Sequence, residues 1–356
     1  MGDLQISLLV IGVLAVAAVY LFNWWQERQF RRRSEQAFAR EHDDVLLEGP
    51  PPRDADPVER VEPKIAAESA ARPAAVRAAV KSPTPAVPDP IIDYVVEVGL
   101  RTAADGVDLH DELLALAAGW GKPVLAAGYD RGSDAWHAAG GGRQYSQLRF
   151  ALQMSNRAGC VEQGQLTSFR DAAVKWAERN RGEVKYSDVA EAHAMAVQLD
   201  RFCADVDIAI GINVVARDGS PFSGTKIRAL AEAAGLKLEP DGVFIAYGER
   251  GDARFTLDNH EPMPFVPEQM KTLFTSGITF LLDVPRVDAA MQAFDTMFET
   301  AGNFAAALDG SLVDDNRHPL SGGAIDTIRQ RLKVILAKMD AAQIAAGGAR
   351  ARRLFS

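Results

Sequence analysis

From Leu4 to Trp25 the chain reads LQISLLVIGVLAVAAVYLFNWW, with no charged side chain and only Gln5, Ser7 and Asn23 as clearly polar interruptions. As a helix rising about 1.5 Å per residue, this run measures roughly 33 Å, enough to cross a hydrocarbon core of about 30 Å. A secretory leader would carry its positive charge ahead of the apolar core. Here Asp3 alone precedes the run, whereas Arg28, Arg31, Arg32 and Arg33 come after it. The order predicts an uncleaved single-pass anchor over residues 4–25, with the N-terminus outside and the remainder cytoplasmic. Leu8 and Leu14 fall in its apolar interior, and Tyr20, Trp24 and Trp25 stand where an interfacial aromatic belt belongs. The arginines beyond them are placed to meet anionic headgroups at about 1 kcal/mol each. A buried helix of a soluble fold is the competing reading.

Beyond the anchor the chain divides by composition. A charged juxtamembrane segment, residues 26–48, turns from basic to acidic at Glu41, Asp43, Asp44 and Glu48. Ten of the 18 prolines then fall between Pro50 and Pro90 with no aromatic residue among them. Such a stretch cannot bury enough apolar surface to offset the entropy of ordering it, so residues 49–90 read as a disordered linker. It would span roughly 35 Å as a coil and roughly 120 Å as polyproline II. The net charge of −9 argues against a protein built to neutralise nucleic-acid phosphates. Cys160 and Cys203 are too few for a disulfide framework or a four-ligand zinc site, and a cytoplasmic placement favours reduced thiols.

The folded part begins near Ile91 and is written twice. IIDYVVEVGL (91–100) reads as a strand and is succeeded by the helical spacing of LHDELLALAAGWG. DIAIGINVVA (207–216) and TKIRALAEAAG repeat that order. PVLAAGY (123–129) matches GVFIAYG (242–248), and QLRFALQM (147–154) matches ARFTLDN (253–259). The second copy continues with the strand GITFLLDVP, the helix AAMQAFDTMFETAG and the strand GSLVDD. In the first copy DVAEAHAMAVQLDRFCADV reads as the matching helix and AAVKWAE as a fourth strand. The strand at 207–216 either closes the first unit or opens the second. This β-α-β-β-β-α-β order predicts the α+β class: in each copy an antiparallel sheet with helices on one face, over 91–205 and 206–345. A last helix from Ile325 to about Ala346 comes after Ser321 as its N-cap, and the basic tail 346–356 is expected to fray.

Catalytic patterns are weak. His42, His110, His137, His193, His260 and His318 show no metal-ligand spacing. The glycines at 140–142 lack the Lys-Ser/Thr of a P-loop, and no G-x-S-x-G elbow occurs. Asp314 and Asp315 are neighbours on a strand and so point to opposite faces, which suits a strand end and turn better than a shared proton or metal. Neither an enzyme nor a cofactor, metal, nucleic-acid or small-molecule site is expected.

The order of several phrases nevertheless resembles one family. INVVARDGSPFSGTKIRALAEAAGL, RFTLDN, FVPEQM, GITFLLDVPRVD and LVDDNRHPLS, between about Ile210 and Leu336, are similar to the C-terminal domain of the ZipA family of bacterial division proteins. FALQMSNRAG and YSDVAEAHAMAVQLDRFCADV resemble the same domain more weakly, so the chain looks like a tandem version. The resemblance implies an inner-membrane adaptor at the division septum that holds FtsZ polymers through the FtsZ C-terminal peptide, bound in a shallow apolar groove on the helix-free sheet face. Carried over by position, that groove would comprise Ala209, Gly211, Asp241, Asp258, His260 and Leu281. Only Leu281 is a large apolar side chain. Hence an alternative face in the first repeat, with Tyr94, Val96, Leu152 and Met154, is also expected. The competing functions are an envelope adaptor of the same fold for a different partner, and a small-ligand module.

Overall fold

The computed structural model describes residues 87–139 and 143–356. The membrane anchor with Leu8, Leu14, Trp24, Trp25, Arg31, Arg32 and Arg33, the linker up to residue 86 and the glycines at 140–142 lie outside the described residues. Among the described residues no helix is long and apolar enough to cross a membrane.

Strict alternation builds the first sheet. In β1 (Asp93–Ala104), Tyr94, Val96, Val98 and Leu100 are buried, while Glu97, Gly99 and Arg101 point the other way. Helix α1 (Val107–Ala117) returns to β2 (Val124–Asp130), which turns into β3 (Ala135–Ala138) and then β4 (Tyr145–Gln153). A small hairpin, β5 (Ser155–Asn156) and β6 (Gly159–Cys160), leads to α2 (Gln163–Arg179), β7 (Glu183–Tyr186) and α3 (Val189–Val206). The sheet order is β3-β2-β4-β1-β7, and each strand pairing is antiparallel.

The second unit opens with β8 (Ala209–Ala216), whose Ile210, Ile212 and Val214 face the core. It continues through β9 (Phe222–Ser223), α4 (Gly224–Ala233), β10 (Lys237–Leu238), β11 (Phe244–Tyr247), β12 (Ala253–Asn259), β13 (Phe274–Thr275) and β14 (Gly277–Asp283). A 3₁₀ turn (Val284–Arg286), α5 (Ala290–Leu308), β15 (Gly310–Val313) and α6 (Gly322–Ala341) follow, and the last helix, α7 (Ala349–Leu354), returns to the first unit's core. The sheet order is β10-β11-β12-β14-β8-β15, again antiparallel. The strand at 207–216 therefore opens the second unit, because among the described residues β8 pairs with β14 and β15 and with no strand of the first sheet. Helix α5 lays Phe294, Met297, Ala301 and Phe304 on the sheet, with Phe304 edge-on to Phe280 at 5.3 Å.

The α+β architecture holds, but several correspondences between the copies need correction. AAVKWAE is not a strand. It lies inside α2, whose Leu166, Phe169, Ala173, Trp176 and Ala177 recur at helical spacing and are buried. The indole N–H of Trp176 donates to Asp108 at 2.7 Å, tying α2 to α1. The fourth strand is β7 instead, so α2 answers to α5, and the helix 189–206 answers to α6. QLRFALQM likewise pairs with the first strand of its unit, as GITFLLD does, and so corresponds to β14 and not to ARFTLDN. The inner position beside β4 is taken by β2, with β3 outside it, whereas the second unit runs as a meander.

The tail is ordered, contrary to the expectation of fraying. Helix α6, capped by the Ser321 hydroxyl accepting from Ala324 N–H at 3.3 Å, ends at Ala341. The chain then turns through Gly347, at φ 70°, where a Cβ would collide with the backbone of Asp288. Leu354 and Phe355 end fully buried in the first unit's core. Helix α6 itself spans two cores: Ile325 and Leu332 belong to the second, Ile335 and Met339 to the first. Arg353 is paired with buried Asp93, and Arg350 with Asp89, so basic residues that look solvated in sequence have acidic partners some 260 positions away.

Candidate protein-binding face

Helices α4, α5 and α6 contribute to the apolar core on one side of the second sheet. The other side is read by parity: Ala209, Gly211, Asn213 and Val215 from β8; Thr279, Leu281 and Asp283 from β14; and Thr256 and Asp258 from β12. Register sets Gly211 opposite Leu281, and Leu281 opposite Thr256; Ala209 stands opposite Asp283. Asp241 precedes β11 and His260 comes just after β12, and these two segments meet because β11 and β12 form a hairpin with Phe244 opposite Leu257.

Polar bonds cross the middle of this face. The Thr279 hydroxyl donates to Asn213 Oδ1 at 2.6 Å, and Asn213 Nδ2 donates to Asp315 Oδ1 at 3.0 Å. With the Thr279 proton so committed, His260 Nδ1 is left to donate to Thr279 Oγ1 at 3.3 Å. Asp315 leans over Gly211: a Cβ at 211 would stand 2.8 Å from its Oδ1. Any side chain at 211 would thus displace the carboxylate that Asn213 holds.

Two further carboxylates interact at the β11–β12 end. Burial pushes Asp258 up to about 6, and the neighbouring charge of Asp241 adds to the rise, while a hydrogen bond from the Thr256 hydroxyl opposes it. Asp241 Oδ1 is itself buried with no hydrogen-bond partner among the described residues. Asp241, Asp258 and Asp315 leave the face acidic, with a narrow apolar strip at Ala209, Gly211 and Leu281. Such a surface can take an extended segment with small apolar side chains and positive charge or free N–H donors. No group of three or more His, Cys, Asp or Glu among the described residues is arranged to hold a metal. Cavities of about 420 Å³ and 260 Å³ lie elsewhere, one lined by Arg250, Asp288 and Arg352, the other by Arg101, Arg131 and Arg181.

All six positions carried over from the family thus fall on or at the rim of one face. The alternative set in the first repeat does not form an open face: Tyr94, Val96, Leu152 and Met154 are all at most 2% exposed and pack in the core. Their strand parity turns them toward the helices. Tyr94 meets Phe169 of α2 edge-on, and its hydroxyl donates to the Ser187 carbonyl at 3.2 Å. Asn213, Thr279 and Asp315 were missed, although alternation along β8, β14 and the end of β15 assigns them to the open side. Asp314 turns the chain after β15, its Oδ1 accepting from the N–H groups of Asn316 and His318.

Comparison with known proteins finds relatives for the second unit. The profile of a family described as "ZipA, C-terminal FtsZ-binding domain" matches residues 208–331, from just before β8 into α6. A cell division protein ZipA of Marinobacter nauticus is 35% identical over 126 residues, which are 34% of this chain and 37% of that protein. One of Pseudomonas aeruginosa is 31% identical over 133 residues, 36% of this chain and 46% of that protein. The chain thus matches less than half the length of these curated relatives. Residues 208–331, from the opening of the second unit into α6, are thus the part of this chain that is similar to the ZipA C-terminal FtsZ-binding domain family.

Proposed function

We propose that the chain is a non-enzymatic division adaptor that carries its folded part on a membrane anchor and engages the C-terminal peptide of FtsZ through the open face of the second unit. The family match over residues 208–331 carries this reading. The helix-free face, with Gly211, Leu281 and Ala209 as its apolar strip, supports it. The acidic rim of Asp241, Asp258 and Asp315 suits basic side chains of a peptide. With few large apolar groups each contact is weak, and attachment to a polymer comes from many tails bound at once. Residues 4–25 supply the attachment to the inner membrane, and localisation at the septum comes from the partner.

Chemical-shift mapping of an FtsZ tail peptide on the protein tests partner and surface together. Shifts at Gly211, Thr279 and Leu281, and their loss in Leu281→Asp, are the expected result. Equal recruitment by FtsZ lacking its tail would sink the proposal. The same fold with a different partner is the second reading, favoured by the acidic groove; septal localisation that persists without FtsZ would select it.

A further inference from the structure

The first unit has its own helix-free face, on which Glu97, Gly99 and Arg101 of β1 stand. At one end of that face a cleft of about 260 Å³ is lined by Gly99, Arg101, Gln147, Arg131, Arg181 and Glu183. The three arginines come from β1, from the turn after β2 and from the turn after α2. They make no ion pair among the described residues, whereas Arg149, deeper on the same face, is spent on Glu97 at 2.6 Å and on the Trp136 ring at 4.0 Å. Gly99 leaves the floor open: a Cβ there would have only the Glu183 carbonyl within reach, at 4.0 Å. A protein with a net charge of −9 therefore gathers three arginines without an ion-pair partner among the described residues around one cleft, against the single carboxylate of Glu183.

A second observation says what shape of ligand fits. The edge strand β7 pairs with β1 only from Val96 to Gly99, yet β1 runs on to Ala104. Gly182, just ahead of β7, lies against Leu100, so the stretch of strand edge left uncovered beside the cleft is Thr102–Ala104. An extended peptide can pair with such an edge by main-chain hydrogen bonds, and alternate side chains then fall on one face. From the free edge and the arginines together we infer that the first unit binds an extended acidic peptide of a partner protein. Its backbone adds beside Thr102–Ala104, and its alternate carboxylates meet Arg101, Arg131 and Arg181. This site is separate from the face assigned to FtsZ, so either proposal can fail without the other.

The test uses the full-length chain in detergent micelles and a fluorescein-labelled peptide of sequence Glu-Val-Glu-Val-Glu-Val, read by anisotropy. Binding should weaken at least tenfold when Arg101→Glu and Arg131→Glu are combined, and should fall steeply with added salt in the unaltered protein. Thr102→Pro, which keeps the charge but blocks strand addition, should also abolish it. Both changes lie at exposed positions, and an unchanged melting temperature separates lost binding from lost folding. The inference is overturned if a Gln-Val peptide of the same length binds equally well, or if charge reversal has no effect. It is equally overturned if anionic vesicles or inorganic phosphate displace the peptide at matched charge, which makes the cleft a general anion site. Tighter peptide binding by a chain lacking residues 41–62 would reassign the cleft to the protein's own acidic stretch, against a partner.

Discussion

Replacing Asp258 by Asn isolates the electrostatic cost of the acidic groove. Asp258 is raised from 3.8 to about 6, first by burial and then by Asp241. A carboxyl whose folded pKa lies above its unfolded value opposes folding once ionised. The cost is absent below about pH 4, grows through pH 4 to 6, and is complete above pH 6. A rise from 3.8 to about 6 corresponds to about 3 kcal/mol. Asn keeps the shape but still buries a polar amide at a cost of about 1 kcal/mol or more, so the net gain should be about 1–2 kcal/mol at pH 7.5. For a folded part of this size that is a rise of about 2–8 °C in melting temperature. At pH 4 the gain should vanish or reverse. Thermal and urea denaturation of both proteins from pH 4 to 8 at fixed ionic strength provides the comparison. A variant that differs by the same amount at every pH, or that is less stable at pH 7.5, would refute the reasoning, because the ionised carboxylate would then not be the source of the cost. Asp241→Asn should produce a smaller rise of the same sign.

Arg353→Ala should destabilise the protein by about 3–5 kcal/mol, because it leaves the fully buried Asp93 without its partner. Urea titration should show Asp93→Asn recovering part of that loss in the double variant. Ending the chain at Gly348 removes buried Leu354 and Phe355, each worth about 1.5–3 kcal/mol, and should melt the first unit early by near-ultraviolet circular dichroism. Leu152→Ala should cost about 2–5 kcal/mol of stability as a cavity in the first core, and FtsZ peptide affinity measured below the melting temperature should be unchanged. Arg157→Ala should loosen the junction between the units, since its guanidinium holds both Asp207 and Asp283 at 2.7 Å; faster hydrogen exchange at the starts of β8 and the 3₁₀ turn would report it.

Where the sequence was legible, local periodicity carried the information. Alternation in DYVVEVGL and AIGINVVA marks strands and also tells which face is open. The misreading of Tyr94, Val96, Leu152 and Met154 comes from choosing the largest apolar groups as the binding face, when alternation assigns them to the helices. AAVKWAE misleads for a different reason: a short apolar run does not distinguish strand from helix. The spacing from Leu166 to Ala177 resolves it only when a window of a dozen residues is taken. The exchange of β2 and β3 in the first unit and the burial of the tail depend on contacts between distant segments. No local pattern marks Arg350 and Arg353 as ion-pair donors, because their acids, Asp89 and Asp93, stand at the other end of the folded part.

That last arrangement has a mechanical meaning. The chain enters its folded part at Asp89 and leaves it at Phe355, and two arginine–carboxylate pairs fasten exit to entrance. Tension applied to the chain ahead of Asp89 therefore does not load the first strand alone. It reaches Asp89 and Asp93, and through Arg350 and Arg353 the short helix beyond α6, so tension is shared between the entry strand and that helix before any strand of the first sheet has to shear.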